Sequence, residues 1–413
     1  MKILCLLALS AAAASSTGVT DVASPEPLAL TNANVVDVRA GQVRAGVTVV
    51  LRDGRITSVG TAPPPAGVRT LDARGRYLVP GLVDAHTHIT SFAAARQALE
   101  SGVTTVRSSG VSHYFDVGFR DLVRKGGLAG PDMLASGYHV RPRVAEEAFV
   151  SHPGLFELMS GVDTVDDLRA MVRANLDRGV DWIKVLASER AGTADTDPRK
   201  QVYSETELRA VVDEAAARGI PVQAHAHGEE GALAAVRAGA RSIEHGSYLS
   251  DEALRLMKEK GTYFVPTYTT VEDLTQPGGD YDVPALTLRG RHMLPRLGRA
   301  VRRAHELGVK LVTGADTTYG PNSLTRIAAE VAAFVDLGLS PAEALRAATL
   351  TAAEMLGREN AIGVLEPGFE ADLVAVEGNP LVDARALQDP LLVVSNGRVV
   401  VDRLDFAKER RAR

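Results

Sequence analysis

The sequence predicts an α/β protein: a (β/α)8 TIM barrel carrying a small β-sandwich formed by the N- and C-terminal flanks. Three observations lead there. Short apolar runs recur, each ending in a residue able to bind a metal ion; helix-patterned stretches alternate with those runs; and both ends of the 413-residue chain alternate apolar and polar residues between turn signals. Continuous apolar runs read as parallel strands buried on both faces, and their alternation with helices reads as βα units.

Taken in order, residues 1–23 combine Lys2, the apolar stretch from Ile3 to Ala14 and the small residues Ser15, Ser16 and Thr17. This is the pattern of a secretory signal peptide, with cleavage expected between Ala14 and Ala23 and a periplasmic or secreted destination. The apolar stretch is too short to span a membrane. Cys5, the only cysteine, lies inside it, so the mature chain would carry no thiol. An exported domain of this size buries enough core to need no disulfide. Residues 24–80 and 363–405 form the expected sandwich, with strand-like segments such as 32–38 and 393–401 and a hairpin signal at Asn396-Gly397.

The barrel is expected over 81–362. Counting from Gly81, eight strands end near His88, Arg107, Gly137, Ser188, His227, His245, Tyr268 and Asp316. Between them, Ser204 and Glu207 are spaced as a capping box opening a helix that Gly219 stops, and 229–239 reads as another helix. In a closed barrel the C-terminal strand ends converge, which gathers the ligand-bearing residues at one mouth.

His86-Thr87-His88 opens that set: side chains two apart on a strand share a face, so both imidazoles enter one small volume. Trp182-Ile-Lys184, Ala224-His225-Ala-His227-Gly, Ile243-Glu244-His245-Gly and Thr313-Gly-Ala-Asp316 follow. Lys184 lies in an apolar run, and buried lysines are rare without a partner. His225 and His227 share a face, so either could be a ligand. Glu244 would point to the opposite side from His245 and reads as a salt-bridging barrel residue.

Together these motifs, in this order, resemble the metal-dependent amidohydrolase superfamily over nearly the whole mature chain. The resemblance is to its imidazolonepropionase-like branch, which includes prolidase and Xaa-Arg dipeptidases and ochratoxin-hydrolysing amidases. It implies two divalent metal ions, usually Zn2+, bridged by an N-carboxylated lysine. His86, His88 and Asp316 would hold the more buried ion and His225 and His245 the other, with Lys184 bridging both. His227 would then stand behind the ligands or face substrate. An ammonium cannot ligate, whereas a carbamate offers two anionic oxygens able to span two cations. Such a pair predicts hydrolysis, with Asp316 taking the water proton and delivering it to the departing amine.

The substrate expected is a small amide: a dipeptide or an N-acyl amino acid. Tyr203 matches a tyrosine that related dipeptidases place near substrate, and equally reads as an apolar staple before Ser204. His139, Arg141 and Arg143 form a positive cluster after the third strand, fit for a substrate carboxylate or simply for solvent. Relatives carry a Gly-Gly-His loop there; His152 takes the place of that histidine or nothing does. Ala187-Ser-Glu189-Arg190 is a second departure, where relatives run on with glycines. His113, His292 and His305 read as surface residues.

Forty-six basic against fifty-one acidic side chains give a net charge of −5, with no basic stripe for nucleic acid. The final run from Lys408 reads as a solvated end. A homo-oligomer follows from the resemblance alone. Two rivals remain. A mononuclear deaminase or imidazolone hydrolase would lack the bridging lysine, and deaminases place a glutamate after the fifth-strand histidine, where this chain has His227 and Gly228. A non-catalytic scaffold would usually have discarded ligands that are all present here.

Overall fold

The computed structural model describes residues 25–278, 283–321, 323 and 326–405. The expected signal peptide and the C-terminal charge run lie outside the described residues. The flanking segments meet as expected: strands from 28–80 and from 373–402 join in one eight-stranded mixed sheet. Its seam is the antiparallel pairing of Tyr77–Pro80 with Leu373–Val376, where Val79 faces Val374. Period-two alternation divides this seam between two cores. Leu373 and Ala375 join Leu28, Val49 and Leu78 in a separate apolar core, while Val374 and Val376 pack into the main one. The Asn396-Gly397 turn forms as expected, both residues at positive φ (50° and 77°) between the antiparallel strands Leu392–Ser395 and Arg398–Asp402.

The central part is built from parallel strands. Leu82–Thr87, Val103–Ser108 and Asp132–Leu134 form one sheet, and Ile183–Leu186, Val222–Ala226, Ser242–His245 and Tyr263–Val265 another. Parallel bridges at Val140–Val185, Phe264–Leu311 and Thr87–Thr317 connect their ends. The eighth expected strand is not a continuous one. Val312 N donates to Phe264 O and Asp316 N to His86 O, but the intervening Ala315 N donates to the Asp84 carboxylate (3.0 Å), and Asp316 turns to φ 45°. A side chain thus replaces a ladder partner there.

Helix Glu205–Ala216 has both bonds of its capping box, Ser204 N to Glu207 (2.7 Å) and Glu207 N to Ser204 Oγ (3.3 Å). Helix Glu229–Ala238 ends on Gly239 at φ 100°, a left-handed cap that glycine adopts without a Cβ penalty.

Where the mixed sheet meets the parallel strands, Asp132, Glu370 and Asp372 converge. Arg358 forks onto Glu370 (2.9 and 2.9 Å), and Asn396 N donates to Asp372 (2.7 Å). Burial, then the charge of Asp132, pushes the Asp372 carboxyl up to about 8. A carboxyl raised on folding favours the native state while it keeps its proton, so its contribution is lost as pH climbs from about 4 through about 8. Asp372→Asn should therefore gain stability over the wild type as pH rises, by up to about 4 kcal/mol at pH 9 relative to pH 5. Denaturant unfolding at both pH values measures this, and a pH-independent difference between the two proteins would contradict it.

Candidate metal centre

Six imidazoles, one lysine and one aspartate line a single pocket at the ends of the parallel strands: His86, His88, His139, His225, His227, His245, Lys184 and Asp316. The donor atoms of His86, His88 and Asp316 lie within 4.8 Å of one another, and so do those of His225, His227 and His245. The two groups adjoin, with ring centroids 4.9 Å apart between His86 and His245. Asp316 Oδ1 stands 3.1 Å from His88 Nε2 and 3.5 Å from His86 Nε2.

Each imidazole is held from behind through one nitrogen, leaving the other for the pocket. His88 Nδ1 meets Gly110 O (2.8 Å) and His225 Nε2 meets Glu189 O (3.3 Å). A carbonyl only accepts, so those nitrogens carry the protons and the opposite ones present lone pairs. His227 Nδ1 engages Ser247 Oγ (2.9 Å) and His245 Nδ1 engages Thr267 Oγ1 (2.7 Å). Burial, the largest cause, holds His86, His225 and His245 well below the usual imidazole range and brings His227 to about 3. Neutral imidazoles are the form that binds metal. His245, Thr267 and Asp316 adopt positive φ (73°, 48° and 45°), a conformation costing non-glycine residues about 1–3 kcal/mol each.

Lys184 is 2 % exposed, and its Nζ is buried without a hydrogen-bond partner. Burial brings the amine down to about 8, against the opposing pull of Glu244 and Asp316. An unpartnered amine among neutral nitrogens and one carboxylate is costly by itself and suits a group that acquires anionic oxygens. The nitrogen–oxygen donor set fits divalent ions of the zinc type.

Glu244 does form the salt bridge its strand position suggested, with Arg107, through Nη2 at 2.8 Å to each oxygen. It also has a role that the sequence did not disclose: Oε2 lies 2.7 Å from His86 Nδ1 and sets that ring's tautomer. Asp84 is equally unforeseen. It accepts His86 N, Ala315 N and the Tyr319 hydroxyl (3.0, 3.0 and 2.8 Å), tying the first ligand strand to the segment that carries Asp316.

His139 lies in the pocket wall, its Nε2 on Ser109 O (2.5 Å) and its ring edge-on to His88 at 5.9 Å. Arg141 lines an adjoining cavity that shares His139. Tyr203 and His152 are not among the residues lining either cavity. Tyr203 is buried in the main core with its hydroxyl donating to Val162 O (3.1 Å), and His152 links helix Glu146–Ser151 to the turn Pro153–Leu158. The packing role prevails for Tyr203 because a deeply seated phenol takes the nearest carbonyl. His113 and His292 are exposed, as expected. Arg190 belongs to the wall and was passed over as part of a divergent loop; its position directly after the fourth strand was the available signal.

An α/β fold with buried histidines and an aspartate at its strand ends defines a candidate metal-centred hydrolase. The chain belongs to the amidohydrolase family, whose model matches residues 77–401. It is 30% identical over 403 residues to an ochratoxinase from Aspergillus niger, covering 86% of this chain and 82% of the relative. It is also 30% identical to an imidazolonepropionase from Symbiobacterium thermophilum, over 80% of this chain and 83% of that one. Among solved structures, a Xaa-Pro dipeptidase with methionine bound in its active site superposes with a TM-score of 0.81 at 27% identity, covering 91% of this chain and 99% of that one. The fold is thus of the TIM-barrel α/β type, and the protein is a hydrolase acting on amide or peptide C–N bonds in a family that is typically metal-dependent.

Replacing Glu244 by Gln keeps its shape and removes the charge that orients His86. Loss of such an orienting carboxylate typically lowers metal affinity about 10- to 100-fold. Metal content after graded chelator dialysis should show that drop, and affinity equal to the wild type would count against the role assigned to Glu244.

Proposed function

We propose that this protein is a binuclear metal-dependent amidohydrolase that cleaves the amide bond of dipeptides or N-acyl amino acids. One observation carries the reading: the partnerless buried amine of Lys184 lines the same pocket as the His86–His88–Asp316 and His225–His227–His245 groups. His86, His88 and Asp316 would hold one ion, His225 and His245 the other, with Lys184 as a carbamate between them. Zinc is the ion that the donor set favours. The lowered Lys184 pKa supports carbamate formation, since only the neutral amine adds carbon dioxide.

When bound, the metal pair supplies Lewis acidity that acidifies a water and polarises a carbonyl. The chain's residues supply the rest. Asp316, reaching the pocket on a turned backbone, takes the water proton and hands it to the amine, which leaves only once protonated. His227, neutral and held by Ser247, and His139, held by Ser109, line the same pocket and would serve as hydrogen-bonding partners of the reacting group. The methionine held by the dipeptidase relative supports an amino-acid product.

The same proposal extends to the whole chain. Bridges at Val140–Val185, Phe264–Leu311 and Thr87–Thr317 support a closed eight-stranded barrel over 81–362. The separate core enclosed by both flanks supports a sandwich over 24–80 and 363–405. Export to the periplasm or exterior rests on the pattern of residues 1–23, and assembly as a homo-oligomer on the family resemblance. No helix among the described residues is long and apolar enough to cross a membrane.

The test is hydrolysis of a dipeptide and N-acyl amino acid panel by zinc-loaded protein alongside metal analysis. Cleavage of these amides with about two ions per chain is expected; one ion, or activity confined to other substrates, would overturn the reading. Asp316→Asn should stay folded by circular dichroism and lose about 100- to 10,000-fold in kcat. Near wild-type turnover with metal retained would remove Asp316 from the proton relay.

A further inference from the structure

The pocket wall holds a cation that the proposed metal chemistry does not use. Arg190 lines the cavity directly after the fourth strand and is half-buried. Among the described residues its guanidinium has neither an ion pair nor a hydrogen bond, although arginines elsewhere in the chain commonly find carboxylates. The adjacent Glu189 cannot serve it. Its carboxylate is engaged by Lys200 Nζ (2.8 Å) and by Asp197 N (2.9 Å).

The loop carrying Arg190 is also built to hold still. Arg289 donates to four of its carbonyls: Ala191, Thr193, Ala194 and Thr196 (2.6, 2.6, 3.3 and 2.5 Å). Glu189 O in turn fixes the His225 ring, so the same short segment positions a candidate ligand and the free cation. The wall beside it is apolar, from Leu186, Ala191, Val271 and Leu274. Arg141, in the adjoining cavity, has its own basicity lowered by burial and by the nearness of Arg190 against the opposing pull of Glu147, so a second guanidinium adds to the cationic character beside Arg190. An unpaired guanidinium carried on a braced loop next to an apolar wall is a receptor for a carboxylate attached to an apolar group.

We propose that Arg190 forms the substrate-carboxylate subsite, selecting amides whose amino-acid part carries a free α-carboxylate and an apolar side chain. The proposal rests on the amidohydrolase reading and narrows it to cleavage of the terminal residue. A fork of two N–H groups on a carboxylate fixes the scissile amide at one distance from the metal-binding residues. Neutral amides and esterified substrates lose that anchor.

The test compares N-acetyl-L-leucine with its uncharged carboxamide on zinc-loaded wild type and Arg190→Gln, by hydrolysis of the N-acetyl bond and by calorimetric binding of both compounds. Losing a charge-assisted bidentate pair lowers affinity about 10- to 100-fold. The expected result is such a rise in KM and Kd for the acid in Arg190→Gln, with the carboxamide unaffected, zinc content unchanged and partial rescue in Arg190→Lys. Equal effects on acid and amide, or none on either, overturn the proposal. Wild type that cleaves neither compound while binding the acid through Arg190 would count against the hydrolase reading and leave the subsite standing, so the two failures are told apart.

Discussion

The ion pair between Arg107 and Glu244 is the constraint on which the centre depends. Both side chains are fully buried, and they join strands separated by 137 residues in the sequence. Burying two charges costs several kcal/mol per ion unless the geometry is good and the remaining donors are used. Here they are used: Arg107 also donates to Ala85 O (2.7 Å) and Ser242 Oγ (3.0 Å) and lies 4.6 Å above the Trp182 ring, while Ser242 Oγ donates to Glu244. Three strands are thereby referenced to one point, and Glu244 Oε2, which Arg107 also engages, orients His86. A hydrophobic pair of equal volume would fill the same space and leave that ring free to present either nitrogen.

From that anchor the rest of the centre follows by a single rule. Burial strips His86, His225, His227 and His245 of protons, and an acceptor or hydroxyl behind each ring decides which nitrogen looks inward. The acceptors come from unrelated places: a glycine carbonyl, the carbonyl of a loop glutamate, a serine and a threonine. The outer partners are thus spread through the strand-end loops, and the left-handed backbone at His245, Thr267 and Asp316 is the local cost of bringing them into reach.

This division explains what the sequence reveals. A strand ending in His-x-His, a lysine in an apolar run and an aspartate after Thr-Gly-Ala are legible because each is local, and strand parity says which neighbours share a face. The capping box at Ser204 and the Asn396-Gly397 turn are legible for the same reason. What sequence could not supply are contacts that exist only after closure. Strand parity alone set Glu244 apart from His245 and cast it as a salt-bridging residue, yet in the folded chain it also reaches His86. The eighth strand looked regular because the carboxylate of Asp84, more than two hundred residues earlier, is what interrupts its ladder. Tyr203 illustrates the converse: a motif match sets its place in the chain but not the depth at which its hydroxyl ends.

The loop after the fourth strand shows how metal binding and selectivity can be separated within one segment. Its contribution to the centre is a backbone carbonyl, Glu189 O, which any residue would offer provided the loop keeps its path. That path is held by Arg289 through other carbonyls, again independent of side-chain identity. The side chains of the loop are therefore released from supporting the centre, and the one turned into the pocket, Arg190, is free to vary with substrate. Changing the side chain at Arg190 would therefore alter what the wall presents and leave every ring nitrogen where it is.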